Sequence, residues 1–205
     1  MNSDEIHSGT KELVPELQEY ARQFAANTRE AEIVLQDLTE AQLMWREHGG
    51  TWSVADCLNH LVVTGNHSLS HIRSAMVDAR SRGLLGRGPF RHGMLGNWLV
   101  RLMDAPPRMK FKVPKAYRPA PDVSVSHIVS TFFLLQHGLI QALEEADGID
   151  LARVKVGNPV SRWLKLSLGQ EFALTAAHER RHLWQAARVR ERLSSTKLPP
   201  DVGSS

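Results

Sequence analysis

Two histidines near the C-terminus, His178 and His182, have the spacing of a metal-binding pair. Residues four apart on an α-helix are separated by about 40° around the helix axis, so both imidazole rings can face one point. Neutral imidazoles that converge without an ion are hard to satisfy by hydrogen bonding alone. The upstream segment Trp52-Ser-Val-Ala-Asp-Cys-Leu-Asn-His60 supplies a third candidate imidazole. We therefore hypothesise that three histidines bind one metal ion.

A second histidine pair competes for the third position, because His67 and His71 are also four residues apart. His60 and His67 would lie about 10 Å apart along a helix that rises 1.5 Å per residue, which is too far for both to bind one ion. Counting residues from the predicted helix caps does not decide between them. The spacing alone therefore leaves both His60 and His67 as partners of the C-terminal pair.

Residues 178–182 also read His-Glu-x-x-His, the zinc peptidase motif in which the glutamate activates a metal-bound water. The extended form of that motif requires a glycine and a histidine at the positions of Gln185 and Arg188. A glutamate ligand on a following helix is also missing, because the last glutamate, Glu191, belongs to the same helix. The sequence therefore disfavours a peptidase.

Four long amphipathic segments must position these histidines. Apolar residues recur at threes and fours from about Thr10 to Leu38, and a second segment runs from a cap at Ser53 to about Arg82. The third segment is predicted over residues 125–146, after a cap at Asp122 or Ser124, and the fourth is predicted to run from a capping box at Ser167 to about Leu193. Residues 151–166 are predicted as a connection with a short extended piece.

The long stretch from Gly83 to Pro121 is rich in glycine, proline and basic residues. We interpret it as a crossover on the outside of the bundle, with a short helix at residues 94–103. The pattern predicts an all-α four-helix bundle with a long crossover connection between helices 2 and 3. One domain is expected over residues 1–193, followed by a disordered tail over residues 194–205.

Composition excludes several function classes for the 205-residue chain, whose net charge is only +3. Its lysines and arginines are interspersed with acidic residues, which disfavours nucleic acid as a partner. No apolar run approaches the roughly 18 residues needed to cross a membrane. Cys57 is the only cysteine and is interpreted as a small core residue. A disulfide within the chain is therefore impossible, and a cytoplasmic location is expected.

Several segments together resemble a known family. They are Thr51-Trp52-Ser53 leading to His60-Leu61, Lys112-Val-Pro-Lys115 with Arg118-Pro119, the helix from Phe132 to Gln136, and His178-Glu-Arg-Arg-His182-Leu-Trp-Gln185. On these segments the chain resembles the DinB-like superfamily of four-helix bundles, and in particular its second branch, over about residues 12–193. The resemblance implies a divalent metal ion held by His60, His178 and His182, with zinc or nickel as the expected ion.

The resemblance also implies a function. Relatives include bacillithiol S-transferases and mycothiol-dependent maleylpyruvate isomerase, so we expect a metal-dependent enzyme of thiol S-transferase or hydrolase type. It would act on a small molecule, with a low-molecular-weight thiol as cosubstrate in the transferase case, and it would form a homodimer. The candidates for lining its pocket are Thr64, His67, Gln136 and Glu179.

Two other interpretations stay open at the level of sequence. The first is a non-catalytic metal- or ligand-binding helical bundle that serves as a stress-related scaffold or sensor. The second is a bundle in which the three histidines are core residues and bind no metal. Metal content separates the second from the others, and turnover of a substrate separates the enzyme from the first.

Overall fold

The computed structural model describes residues 12–107, 109, 113–114, 117–157 and 165–196. The helices within these residues are α1 (Pro15–Leu35), α2 (Glu40–Leu43), α3 (Val54–Ser81), α4 (Met94–Met103), α5 (Val125–Ala146) and α6 (Leu168–Ser195). Helices α1 and α3 each pack against both α5 and α6, which confirms the predicted all-α four-helix bundle. No helix among the described residues is both long and apolar enough to cross a membrane.

Serine caps begin three of the four long helices where the sequence predicted them. The side chains of Ser53, Ser124 and Ser167 each accept a hydrogen bond from the backbone N–H three residues later. Helix α1 ends three residues before the predicted boundary, and α6 continues two residues into the predicted tail. Residues 197–205 of that tail, and the predicted start of α1 at Thr10, lie outside the described residues.

The connection between α5 and α6 contains two very short strands, β1 (Lys155–Val156) and β2 (Leu166–Ser167). They pair antiparallel, with Val156 opposite Leu166, and both of these side chains are buried. The sequence indicated only an extended piece here, because two residues are too few to display the alternation of a strand. The pair covers one end of the bundle and leads directly into α6.

The bundle core is divided into two apolar clusters. One contains Phe24 and Phe172, and the other contains Leu58 and Leu183. Along α1 and α6 the residues of the two clusters are separated by buried polar side chains, including that of Glu179. Buried polar groups must find hydrogen-bond partners, so a polar layer of this kind fixes the relative heights of the helices.

The first part of the crossover packs on α6. Helix α4 packs against α6 so closely that a Cβ atom at Gly96 would collide with the side chain of Gln170. Gln170 donates from Nε2 to the backbone oxygen of Gly93 at 2.7 Å and to Oδ1 of Asn97 at 2.9 Å. The absence of a side chain at Gly96 thus allows the backbone of α4 to lie against the first turn of α6.

His92 ties the same part of the crossover to two bundle helices. Its Nε2 donates to Oε1 of Glu16 at 2.6 Å, and its Nδ1 lies 2.7 Å from Oγ of Ser167. The order serine–histidine–glutamate resembles a hydrolytic triad. Ser167 is fully buried, however, and its hydroxyl caps α6, so this cluster holds elements together and presents no nucleophile to a substrate.

Candidate metal centre

A capping box at the N-terminus of α3 fixes where the helix begins and so where His60 lies. Ser53 and Asp56 form a capping box in which each backbone N–H donates to the other residue's side chain, at 2.8 and 3.0 Å. Arg46 donates to both carboxylate oxygens of Asp56, at 2.8 and 2.9 Å, and so ties this turn to the preceding segment. His60 lies two turns further along α3 and is almost completely buried.

His178 and His182 lie on consecutive turns of α6, and they face His60. The Nε2 atoms of His60 and His178 are 3.2 Å apart. The ring centroid of His182 lies 4.5 Å from that of His60 and 4.7 Å from that of His178. One potential ligand atom from each residue lies within 4.8 Å of the others. Two nitrogens at about 2.05 Å from a tetrahedral ion would be about 3.3 Å apart, so the cluster has the dimensions of a metal site.

The hydrogen bond of His60 leaves a lone pair directed at the cluster. Its Nδ1 lies 2.5 Å from the backbone oxygen of Tyr117, and because a carbonyl oxygen can only accept, Nδ1 carries the proton. Nε2 is then unprotonated and faces Nε2 of His178. A ligating histidine that donates its other N–H to a carbonyl group is the usual arrangement at protein metal sites, because that bond fixes the tautomer and the ring orientation.

All three imidazoles are held in the neutral form that binds metal. Burial lowers the pKa of His60, although the hydrogen bond to Tyr117 opposes this effect. Burial, followed by the proximity of His182, His60 and Arg181, lowers the pKa of His178 well below its usual value. The pKa of His182 falls to about 3, first through burial and then through the proximity of His60 and Arg181. Metal ions bind unprotonated imidazole, so the pocket favours the right protonation state.

One buried nitrogen atom of the cluster lacks the hydrogen-bond partner that buried polar atoms normally have. Nδ1 of His182 is buried and has no hydrogen-bond partner within 3.5 Å in the described part of the chain, although the Gln185 side chain approaches the ring. An unsatisfied buried polar atom costs about 1–3 kcal/mol. The donor set of three neutral imidazoles suits zinc, nickel, copper or iron, so the residues present fit a divalent transition-metal ion.

Trp52 forms a wall against two of the three rings. Its ring stacks on that of His182, with centroids 5.4 Å apart and an interplanar angle of 27°, and lies 5.0 Å from that of His60. Such contacts restrict ring rotation without competing for the ring nitrogens. The tryptophan belongs to a segment that the sequence comparison singled out, but its contact with the histidines could not be predicted from spacing.

The glutamate of the His-Glu-x-x-His motif is directed into the bundle. Glu179 is buried, and its two carboxylate oxygens accept from Nδ2 of Asn27 at 2.9 Å and from Nε2 of Gln136 at 2.8 Å. Burial raises the pKa of Glu179 to about 7, although these two hydrogen bonds and Arg180 oppose the rise. Asn27 also donates to the backbone oxygen of Ala176 at 3.1 Å. Glu179 therefore joins α1, α5 and α6 in the polar layer.

The two arginines of the same motif hold the crossover. Arg180 donates to both carboxylate oxygens of Asp104 at 2.8 and 2.9 Å, and to Oε1 of Gln23 at 3.0 Å. Burial opposes the ionisation of Asp104, but the bonds from Arg180 and the Ala105 N–H outweigh it and keep the pKa of Asp104 below its usual value. Arg181 donates to the backbone oxygen of Met109. The motif thus contains the histidine pair and also attaches the crossover to α6.

The three histidines line a cavity of about 1140 Å³ between α3, α6 and the crossover. The walls are largely apolar side chains, and the lining includes Leu61, Leu99, Met103, Pro107, Val113, Pro114 and Leu174. A cavity of this size accommodates a small organic molecule beside the histidines. Because the ligand atoms come from only three residues, a tetrahedral ion bound there would retain a position that faces the cavity.

Of the four predicted pocket residues, three line or border the cavity and one does not. Thr64 and His67 line the cavity, and the ring of His67 lies edge-on against Tyr117, with centroids 5.4 Å apart. Thr64 donates from Oγ1 to the backbone oxygen of His60 at 2.8 Å. Gln136 is buried behind Glu179 and is not part of the cavity lining, although Glu179 borders it. His67 lies outside the three-histidine cluster, to which α3 contributes His60.

Three residues of the site were missed by sequence reasoning. Trp52 packs on the rings, Tyr117 contributes a backbone oxygen, and Glu171 places a buried carboxylate in the cavity wall. A backbone contact leaves no mark on side-chain type, so Tyr117 could not have been found. The spacing of Glu171, seven residues before His178 and hence on the same face of α6, was the one available signal.

Comparisons with known proteins agree with this architecture. Neither the curated proteins nor the solved structures contain a match to the chain. The family model described as the DinB superfamily matches residues 23–186, which include α1 from its third turn, all of α3, α4 and α5, and the part of α6 that carries both histidines. Because the matched region covers most of the bundle, the crossover and the three-histidine cluster, the chain belongs to the DinB superfamily.

Proposed function

We propose that the protein is a divalent-metal-dependent enzyme that transfers a small thiol to an electrophilic small molecule. The observation that carries this proposal is the convergence of three neutral imidazoles on the wall of a large, mostly apolar cavity. A purely structural site would be closed by a fourth protein ligand, whereas His60, His178 and His182 are the three that the described residues supply. The site therefore has the composition of a catalytic centre.

The metal would be held by the Nε2 atom of His60 and by one ring nitrogen each of His178 and His182. A divalent ion at this position supplies Lewis acidity, which lowers the pKa of a thiol or water molecule bound to it. The chain's own part is to keep the imidazoles unprotonated, to orient them through Tyr117 and Trp52, and to surround them with apolar walls. Zinc and nickel are the ions we expect.

The surroundings of Glu179 favour a thiol over water as the nucleophile. In the zinc peptidases the corresponding glutamate takes a proton from water, which requires a free carboxylate oxygen beside the metal. Here both oxygens of Glu179 accept hydrogen bonds from Asn27 and Gln136 in the bundle interior. A thiol has a pKa near 8.5 and so needs much less assistance to ionise than water does. A hydrolase is the competing outcome of the test below.

The apolar lining indicates the character of the electrophile. Leu99, Met103 and Leu174 line the same cavity as the histidines and would bury the hydrocarbon part of a substrate. Burial of apolar surface contributes roughly 25 cal/mol per Å², so these walls can supply much of the binding energy. The substrate we propose is accordingly a small molecule with a substantial apolar portion.

Elemental mass spectrometry on protein purified without a histidine tag tests the metal site. We expect close to one transition-metal ion per chain in the wild type and in His67→Ala, and loss of the ion in His60→Ala. His67→Ala is the matched control, because it removes an imidazole from the same helix and the same cavity but not from the cluster. Loss of metal only in His67→Ala would contradict the assignment, and a wild type that takes up no ion after reloading would remove the basis for an enzyme.

Turnover assays then separate the chemical alternatives. We expect metal-loaded protein to consume a low-molecular-weight thiol together with an apolar electrophile, and His60→Ala to lose this activity. Cleavage of esters or amides without a thiol would favour the hydrolase. Metal binding without turnover in either panel would favour a scaffold or sensor. The expected homodimer is tested separately by light scattering, where a monomeric mass would contradict it.

A further inference from the structure

A buried carboxylate lies in the wall of the cavity, away from the histidines. Glu171 is 8% exposed and belongs to the first turn of α6. Its Oε1 accepts a hydrogen bond from Oγ of Ser68 on α3 at 2.8 Å. No lysine, arginine or histidine among the described residues forms an ion pair with it. Carboxylates this deeply buried are normally paired with a cation, and the described residues supply none for Glu171.

Packing of the bundle does not require a carboxylate at this position. The contact with Ser68 needs only an acceptor, which a glutamine would also provide, and burial of a charge costs free energy. The N-terminal end of a helix favours negative charge, which helps Glu171 to ionise despite its burial. A group that costs stability and faces a cavity is typical of a binding site.

Glu171 and the histidine cluster occupy two separate parts of one cavity. Glu171 precedes His178 by seven residues, which places it on the same face of α6 and about 10 Å away along the helix axis. Ser68 follows His60 by eight residues on the facing helix, and all four residues line the cavity. The wall between the two parts includes Leu174 on α6. A ligand that reaches both parts must therefore be elongated.

We propose that Glu171 and Ser68 form a subsite for a primary ammonium group, so that the substrate carries a cationic amine about 10 Å from its reacting end. The reacting end rests on the proposed function of the histidine cluster, whereas the ammonium subsite stands without it. Burial raises the pKa of Glu171 and the bond from Ser68 opposes that rise. A bound ammonium would supply the missing counter-charge.

The geometry favours an ammonium over other cations. A guanidinium pairs best with both oxygens of a carboxylate, but Oε1 of Glu171 is already engaged by Ser68. An ammonium presents compact charge with three donors and can pair with the remaining oxygen. A metal ion would need several ligand groups, and the histidine cluster is the only such group among the described residues.

Calorimetric titration with n-hexylammonium tests the subsite directly on the full chain. We expect the wild type to bind n-hexylammonium and Glu171→Gln to bind it at least tenfold more weakly, because the charge-assisted contact is lost. Hexan-1-ol should bind the two proteins equally, since it shares the hydrocarbon chain but not the charge. Glu144→Gln is the control, because Glu144 is exposed on α5 and lies outside the cavity. Thermal unfolding of each variant shows that the fold is retained.

Two results would overturn the proposal. One is the failure of n-hexylammonium to bind the wild type, and the other is equal binding to the wild type and Glu171→Gln. Repeating the titration with His60→Ala distinguishes the subsite from the metal centre, because ammonium binding should persist there even when no metal is held. With metal-loaded wild type, 6-aminohexane-1-thiol should bind more tightly than hexane-1-thiol, and Glu171→Gln should abolish this difference. Equal affinities in the wild type would show that the two parts of the cavity do not bind one ligand.

Discussion

His60 donates its Nδ1 proton to the backbone oxygen of Tyr117 and thereby turns an unprotonated Nε2 toward His178, 3.2 Å away. The donor belongs to α3 and the acceptor to the crossover, so the tautomer of a candidate metal ligand depends on where the crossover lies. The two arginines between His178 and His182 hold that crossover to α6. One short motif therefore contributes two of the three clustered histidines and also attaches the crossover to α6.

Trp52 is expected to support the metal site without touching the ion. Replacing it with alanine removes the ring that packs on His60 and His182, which frees both imidazoles to rotate. We expect Trp52→Ala to weaken metal binding roughly tenfold, the scale of effect that supporting residues have at metal sites. Trp52→Phe keeps an aromatic face and is the control. Competition with a chromophoric chelator measures the affinity, and equal affinities of Trp52→Ala and wild type would contradict the role.

Glu179 is expected to be structural, so Glu179→Gln should retain metal and activity. The amide can still be accommodated, because Gln136 can rotate its own amide to accept from the new residue. With a pKa raised to about 7, ionisation of Glu179 destabilises the fold as pH rises from about 4.5 through 7. We expect the substitution to raise the free energy of unfolding at pH 8 by about 2 kcal/mol and to have little effect near pH 4.5.

Urea denaturation at the two pH values measures that change. Steady-state kinetics on the same samples provide the second readout. A fall in turnover of 100-fold or more with full metal content would instead identify Glu179 as a proton-transfer group.

The metal-free protein is expected to be sensitive to acid. A histidine whose pKa is lower in the folded state takes up its proton on unfolding, so its contribution to stability is present above pH 6.5 and is lost as pH falls. For His182 the loss extends from about pH 6.5 to about pH 3, and His60 and His178 change in the same direction. Each fully displaced histidine contributes a slope of about 1.4 kcal/mol per pH unit. Protonation of Glu179 offsets part of this loss between about pH 7 and pH 4.5.

Unfolding free energies measured between pH 8 and pH 4 in the presence of a chelator test this dependence. His182→Gln should have a shallower profile than the wild type, because it removes one of the three displaced groups. A wild-type profile that falls no more steeply than that of His182→Gln would mean that the pKa of His182 is not lowered in the folded state.

The contact between Arg180 and Asp104 is expected to stabilise the fold by fixing the end of α4. Both side chains are about one-third exposed, so the pair is worth about 1 kcal/mol or less. A double-mutant cycle with Arg180→Ala and Asp104→Asn should give a coupling energy of about 0.5–1 kcal/mol in urea denaturation. Zero coupling would contradict a direct interaction. Metal content should be unchanged in every member of the cycle, because neither residue touches the cluster and Arg181 still holds the crossover through the backbone oxygen of Met109.

Much of the fold could be predicted from capping and periodicity. Ser53, Ser124 and Ser167 begin helices where the sequence placed them, and the short helix of the crossover has the predicted bounds. Such features are local and depend on side chains within one or two turns. The strands β1 and β2 escaped prediction as a pair because each contains only two residues.

Local sequence patterns could not decide whether His60 or His67 is the third histidine of the cluster. Both histidines lie on α3 and both line the cavity, so neither spacing nor amphipathicity separates them. The height of α3 relative to α6 decides, and that height is set by contacts between distant parts of the chain, such as the bond from Ser68 to Glu171. The family resemblance pointed to His60, which is the histidine of α3 that lies in the cluster, but it gave no indication that Trp52 packs on the rings or that Tyr117 accepts a hydrogen bond.

The attachment of the crossover to α6 limits how far the cavity can open on this side. His92 meets Ser167, Gln170 meets Gly93 and Asn97, and Arg180 meets Asp104, so three successive levels of the helix are fastened to the segment above it. Opening the cavity on this side would break all of these contacts together. The described part of the crossover is therefore fastened to α6 at three levels, and we expect this side of the cavity to keep its shape when a ligand binds.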